Sequence, residues 1–196
     1  VDALAILVPH HLHEDLVTQA LEAGVHVALE KPMAPTLEAC ERILATAARH
    51  PDRVFMLTEN AQYWPEVVMA QKLIAEGAIG KLVTARSWHN FGITPEFYPS
   101  DESWRFQQSA AGGGVALDTG SHWMRPLRMI LGEIDEVVAV TGRLWEKMEG
   151  ESMVRSLCLF QSGVVASFDV ILATGAVGLQ PHFQFTGTTG EIVISA

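Results

Sequence analysis

The chain has 196 residues, 48% of them hydrophobic and 18% charged, a composition that fits one folded domain or two small ones and excludes intrinsic disorder. Thirteen Lys and Arg against twenty-three Asp and Glu leave a formal net charge of −10, so neither nucleic acid nor an anionic membrane surface is an expected partner. No apolar run reaches the roughly 20 residues of a membrane-spanning helix.

The two cysteines, Cys40 and Cys158, form no CxxC pair. Neither a disulfide framework nor a structural zinc site is expected, and a reducing compartment, the cytoplasm, fits them. Cys40 falls on an apolar helical stripe and reads as core. The chain opens with Val1 on the approach to a strand and stops after the strand-like run Glu191-Ile192-Val193-Ile194, so both ends read as cuts in a longer chain.

Strand and helix alternate over the first sixty residues. Residues 3–8 are a short continuous apolar run ending at Pro9, as expected of a strand buried on both faces. A helix follows from about His13, with Leu16, Val17, Ala20 and Leu21 inward and Gly24 as its stop. Residues 25–29 form the next strand, ending in Glu30-Lys31-Pro32. Thr36 then reads as an N-cap for a helix carrying Leu37, Cys40, Ile43, Leu44 and Ala47 at helical spacing. Residues 54–57 are a third strand. Strands joined by helices of ten or more residues imply crossovers and a parallel sheet.

The pattern then changes. Pro65 suits the first turn of a helix that runs to about Glu76 and ends at Gly77. Residues 82–89, 136–145, 152–160, 164–172 and 182–186 read as strands of an antiparallel sheet, with short turns at Gln161-Ser162-Gly163 and Thr188-Thr189-Gly190. A helix over residues 115–131 interrupts them. The fold class is α/β plus α+β: a partial parallel unit joined to a domain with an antiparallel sheet.

Three places can carry chemistry. Lys31, one of four lysines, directly follows a buried strand, and open α/β sheets place their ligands at the carboxyl ends of strands. Its alternative is a solvated lysine paired with Glu30. Asp118 and His122 are four apart, so a helix sets both on one face, and Gly120 between them clears space for a close-approaching ligand. Their alternative is a capping Asp and a packed His, and Pro126 should cost this helix a hydrogen bond. His10, His11 and His13 put three imidazoles in four residues. No HExxH follows and no cysteine lies nearby, so contacts to the loop or a ligand, or a solvated surface, are preferred to a metal site. GxSxG and GxxxxGK[ST] are absent, and Gly112-Gly113-Gly114 fails GxGxxG because Leu117 holds the last position.

Four segments in order resemble the Gfo/Idh/MocA family, named for glucose–fructose oxidoreductase, inositol dehydrogenase and a rhizopine-catabolism protein. Val8-Pro9-His10-His11-Leu12-His13 looks like the family's TPxxxH stretch, with Val8 where Thr is usual. The run Ala23 to Pro32, containing Glu30-Lys31-Pro32, looks like AGKHVxxEKP. Glu76-Gly77-Ala78-Ile79-Gly80 matches EGxIG. Trp104-Arg105, followed by Gly112-Gly113-Gly114, Asp118, Gly120 and His122, looks like WR…GGGxxxDxGxH. Arg125 and Pro126 depart from the pattern, standing where Asp and an aliphatic residue are common.

The resemblance implies a Rossmann domain for NAD or NADP, partial here over residues 1–60, and a C-terminal α+β substrate and oligomerisation domain over 61–196. That second domain carries an open, mostly antiparallel sheet. Sugars, polyols and related hydroxy compounds are the implied substrates, and a homo-oligomer through the open sheet face the implied assembly. By similarity Lys31, Asp118 and His122 map onto catalytic residues. Pro9, His10, His13 and Glu30 map near the nicotinamide ribose, Lys31 beside it, and Trp104 and Arg105 near nicotinamide and substrate. The first strand of such a domain, with its GxGxxG loop and helix, is not among these residues, so 196 residues alone are expected to hold NAD(P) poorly or not at all and to be inactive.

Two other readings share the architecture. One is a glycosidase using bound NAD in an oxidation–elimination cycle, without net reduction of added NAD. The other is a non-catalytic sensor or assembly module, against which the intact Lys31, Asp118 and His122 set counts.

Overall fold

A computed structural model describes residues 1–94, 98, 102–173 and 180–195. Strands β1 (Ala3–Ile6), β2 (His26–Leu29) and β3 (Phe55–Leu57) form a parallel sheet in the order β1–β2–β3. A 3-10 turn at His10–Leu12 and helix α1 (His13–Glu22) connect β1 to β2, and helix α2 (Leu37–Arg49) connects β2 to β3. The Thr36 hydroxyl accepts the Ala39 N–H at 3.2 Å and so starts α2, while Gly24, at φ 76°, ends the chain's turn out of α1.

Burial in this sheet is one-sided. Val17 and Leu21 of α1 and Ile43 of α2 are fully buried against Ile6, Val27 and Leu29. Met56 and Ala5, which point to the opposite face, are exposed. Within these 196 residues only Ile6 of β1 is buried, on the face that α1 and α2 cover, where the unbroken apolar run of residues 3–8 implied burial on both faces. Strands added in one direction by right-handed crossovers place both helices on the same face.

Strands β4 (Leu82–Gly92), β5 (Ile134–Gly142), β6 (Met153–Phe160), β7 (Val165–Ala173), β8 (Pro181–Gly187) and β9 (Glu191–Ser195) form the second sheet, in the order β5–β6–β7–β4–β8–β9. All neighbours are antiparallel except β4 and β7, which are parallel. The sheet is open and mostly antiparallel, as expected. Helices α3 (Pro65–Ala75) and α5 (Ser121–Leu131), with the single turn α4 (Gln108–Ala111) between them in sequence, follow, and α3 and α5 bury Val67, Ala70 and Leu127 in the core on its inner face. Phe160, Phe183 and Phe185 are almost wholly buried there, each contributing about 2 kcal/mol by the area it removes from water. The outer face exposes Val138, Val140, Leu157, Val165 and Val193. No helix among the described residues is long and apolar enough to cross a membrane.

Two elements differ from the sequence reading. The helix expected over 115–131 begins only at Ser121. The Glu151 carboxylate accepts the N–H groups of Gly114 and Ala116 at 3.0 Å each, and the Glu151 carbonyl accepts that of Val115 at 2.9 Å, so these groups bind across the fold while turns occupy residues 115–120. A Cβ on Gly114 would come within 1.8 Å of the Glu151 carbonyl oxygen, which is why this turn is glycine-rich. The strand expected over 136–145 ends at Gly142, and Trp145 turns away to meet Phe106 edge-on at 4.6 Å. Pro126 lies inside α5 and is buried, the helix continuing through it to Leu131.

Gly120 does not make room for a ligand. A Cβ there would lie 2.5 Å from the Ala116 carbonyl oxygen and 2.9 Å from the Phe168 ring, so the glycine lets α5 pack onto β7.

Candidate active site

The site lies where the two sheets meet. Lys31 leaves the carboxyl end of β2, next to a cis peptide at Pro32, and its ammonium donates to the Asp118 carbonyl oxygen at 2.7 Å and to Asp118 Oδ1 at 3.0 Å. An ammonium has three N–H donors, so one is left without a partner among the described residues. Arg105, on a 3-10 turn at Trp104–Phe106, donates from Nε to Asp118 Oδ2 at 3.0 Å and rests on the Trp104 ring at 4.4 Å. Burial pushes the Asp118 carboxyl up, but Lys31, Arg105 and His10 together outweigh it and hold it below the usual carboxylate range.

His122 stands in the first turn of α5, and its Nδ1 lies 2.7 Å from Oε1 of Glu59, just past β3. Burial favours the neutral Glu59 carboxyl. The His122 bond, the Ala61 N–H at 2.8 Å, and the charges of His122 and Lys31 outweigh burial and lower its pKa.

Two cavities share Glu30, Lys31, Arg105 and Asp118 as a common wall. The larger, about 490 Å³, reaches His122, Thr119 and Thr94 on its polar side and His89, Phe91, Tyr98 and Trp123 on its aromatic side. The smaller, about 270 Å³, is bounded by Leu7, Val8, Pro9, His10 and Trp104 at the carboxyl end of β1. His89 stacks on Trp123 with centroids 3.7 Å apart, and burial first, then His182 and His122, pushes its pKa down to about 4. Burial pushes the Tyr98 hydroxyl up to about 12, with the Asp118 charge adding to it, so it stays a neutral donor.

The structure brings Lys31, Asp118, Arg105, Glu30, Pro9, His10 and Trp104 together around the smaller cavity, and His122 around the larger one. His10 donates from Nδ1 to the Ala111 carbonyl at 2.8 Å, and burial lowers its pKa. His13 lies beneath the site: it is fully buried, both ring nitrogens face carbonyl oxygens of Val8, Pro32 and Met33, and it lines neither cavity. His11 is exposed. Among the described residues no cluster of His, Cys, Asp and Glu has the form of a metal site. In the sequence, residues 91–103 read as a loop that shapes the pocket with Phe97, Tyr98 and Trp104; of these, Phe97 lies outside the described residues. Cys40 is half-buried against the first core and Cys158 fully buried in the second, both as free thiols.

Glu59, His89 and Trp123 were missed in the sequence. Glu59 had the same signal as Lys31, a position at the carboxyl end of a parallel strand. His89 and Trp123 meet only through tertiary packing, which no local spacing announces.

Residues 1–58 match the family described as an oxidoreductase family with an NAD-binding Rossmann fold, and residues 67–193 match the GFO/IDH/MocA C-terminal domain. The chain belongs to the Gfo/Idh/MocA oxidoreductase family. It is 33% identical to 1,5-anhydro-D-fructose reductase of Ensifer adhaerens, the match covering 98% of this chain and 56% of the reductase. It is 35% identical to levoglucosan dehydrogenase of Pseudarthrobacter phenanthrenivorans, over 97% of this chain and 54% of the dehydrogenase. The solved structure of a levoglucosan dehydrogenase in complex with NADH and levoglucosan superposes with a TM-score of 0.88 at 30% identity, covering 100% of this chain and 54% of that one. This Gfo/Idh/MocA chain thus spans about half the length of the curated relatives it matches.

Proposed function

We propose that the protein works as an NAD(P)-dependent dehydrogenase that moves a hydride between nicotinamide and a CH–OH carbon of a sugar, polyol or related hydroxy compound. The observation that carries this reading is the placement of Lys31 in the wall shared by two cavities, with His122 facing only the larger one.

The smaller cavity fits the nicotinamide end of NAD or NADP. Glu30 offers a carboxylate to ribose hydroxyls, Pro9 and Trp104 offer flat apolar surfaces, and Arg105 and His10 close the wall. When bound, the cofactor supplies the hydride acceptor. The remaining N–H of Lys31 donates to the substrate oxygen and stabilises developing alkoxide. His122, with Nδ1 engaged by Glu59, takes the hydroxyl proton on Nε2. Asp118 anchors the ammonium and guanidinium so that both face the reacting atoms. The aromatic side of the larger cavity offers ring faces to the C–H face of a cyclic substrate.

In this reading residues 1–60 serve the cofactor and 61–196 the substrate and assembly. The outer sheet face, with its exposed valines and Leu157, supports a homo-oligomer. The cytoplasm is the proposed location, supported by two free thiols far from each other. Lys31→Ala and His122→Ala in the complete protein test the site: both lower turnover by about 10²-fold or more. Near-wild-type turnover of both would overturn the assignment.

A further inference from the structure

A neutral imidazole carries one proton, and the partner of one ring nitrogen decides which nitrogen is left as the base. Asp118, one helical turn before His122 in sequence, is the first candidate for that partner. Its two carboxylate oxygens are instead bound at 3.0 Å by Lys31 and Arg105. The carboxylate on His122 comes from the other sheet. Glu59 Oε1 meets Nδ1 at 2.7 Å and is held in place by the Ala61 N–H at 2.8 Å. The Glu59 side chain is only 9% exposed, and the Trp64 ring stacks against the imidazole at 6.4 Å.

The dyad also separates two spaces. His122 lines the proposed substrate cavity and Glu59 does not. Glu59 lines a different cavity of about 450 Å³, with Gln62, Ser121 and Arg125, and His122 does not. Oε2 of Glu59 is buried without a hydrogen-bond partner among the described residues. The carboxylate therefore approaches the imidazole from behind, relative to the substrate.

We propose that Glu59 is the positioning residue for His122, fixing the neutral ring with its proton on Nδ1 and its Nε2 lone pair toward the substrate cavity. The inference rests on reading His122 as the base. During alcohol oxidation the hydroxyl proton goes to Nε2, the hydride to the nicotinamide, and Nδ1 keeps its proton. Glu59 stays ionised and stabilises the imidazolium. Asp118 and Glu59 thus divide the work, one holding the cations and the other the base.

The experiment is nitrogen NMR on the complete protein with isotope-labelled histidine, recorded with the imidazoles neutral, His122 being identified by its loss in His122→Asn. It is run beside steady-state kinetics of Glu59→Leu, which keeps bulk and removes the acceptor. The expected result is an Nδ1–H tautomer in the wild type. In Glu59→Leu that tautomer is lost and kcat falls about 10²-fold, with KM within about two-fold. A wild-type Nε2–H tautomer overturns the proposal, as does retention of either the tautomer or kcat in Glu59→Leu. If that variant does not fold, the wild-type tautomer decides. A protein that turns over no sugar or polyol would defeat the functional reading, while the tautomer would still report on Glu59.

Discussion

Lys31 and Asp118 are 87 positions apart in sequence and meet twice, at 2.7 Å through the Asp118 carbonyl and at 3.0 Å through its carboxylate. The contact joins the end of the parallel sheet to the turn before α5, so it is at once part of the candidate site and a bond between the two halves of the fold. Both side chains are mostly buried, 12% and 15% exposed, and Arg105 adds a second cation.

Asp118→Ala should therefore cost stability as well as activity. Breaking a buried ion pair leaves uncompensated charge, here two cations that water partly reaches, for a loss of about 2–3 kcal/mol. Urea unfolding of the complete protein measures it. The pH dependence has a defined sign: the Asp118 pKa lies below its ordinary 3.8, so its contribution is complete above that pH and is lost as pH falls through the folded-state value. A variant as stable as the wild type at neutral pH would contradict this account of the joint.

His89 predicts a separate acid sensitivity. Its pKa falls from 6.5 to about 4 on folding, so the unfolded chain binds the extra proton first. The stability linked to its neutral form is full above pH 6.5 and is lost between 6.5 and about 4. His89→Phe keeps a ring against Trp123 and removes the proton site. Thermal melts across that range should fall less steeply for the variant, and equal slopes would refute the assignment.

Gly114→Ala tests the glycine-rich turn. The added methyl would collide with the Glu151 backbone at 1.8 Å, with no flexible side-chain end to yield. Overpacking of this kind costs about 1–3 kcal/mol, and the displaced turn carries Asp118 with it. A lower melting temperature together with reduced turnover is the expected outcome.

Much of the fold was legible. Helical spacing in Val17 and Leu21, the Thr36 cap and the short turn at Gln161-Ser162-Gly163 are local signals, and the structure follows them. The start of α5 was not, because Glu151, some thirty-seven positions after Gly114, captures the N–H groups that would have begun the helix. The one-sided burial of β1 was also hidden, since an unbroken apolar run does not say which faces are covered. In the site, Lys31, Asp118 and His122 stood out by position and motif. That Asp118 serves Lys31 while Glu59 serves His122 depends on which elements cross, and no spacing within one segment encodes it.

The open sheet face gives a prediction about assembly. Leu157 is 56% exposed on it, beside Val138 and Val165. Leu157→Glu places a charge on that face without touching the inner core. Light scattering should show an oligomer dissociating in the variant, and an unchanged mass would show that this face does not assemble the protein.

Hydride transfer at the wall shared by the two cavities is the proposed reaction. Its most direct measurement follows reduced nicotinamide by absorbance while the complete protein is offered cyclic sugars and polyols with NAD or NADP, with the sugar product quantified in parallel. One reduced nicotinamide is expected for each CH–OH oxidised, with loss of that signal in Lys31→Ala. Sugar released from a glycoside without net reduction of nicotinamide, or no reduction with any such substrate, would contradict it.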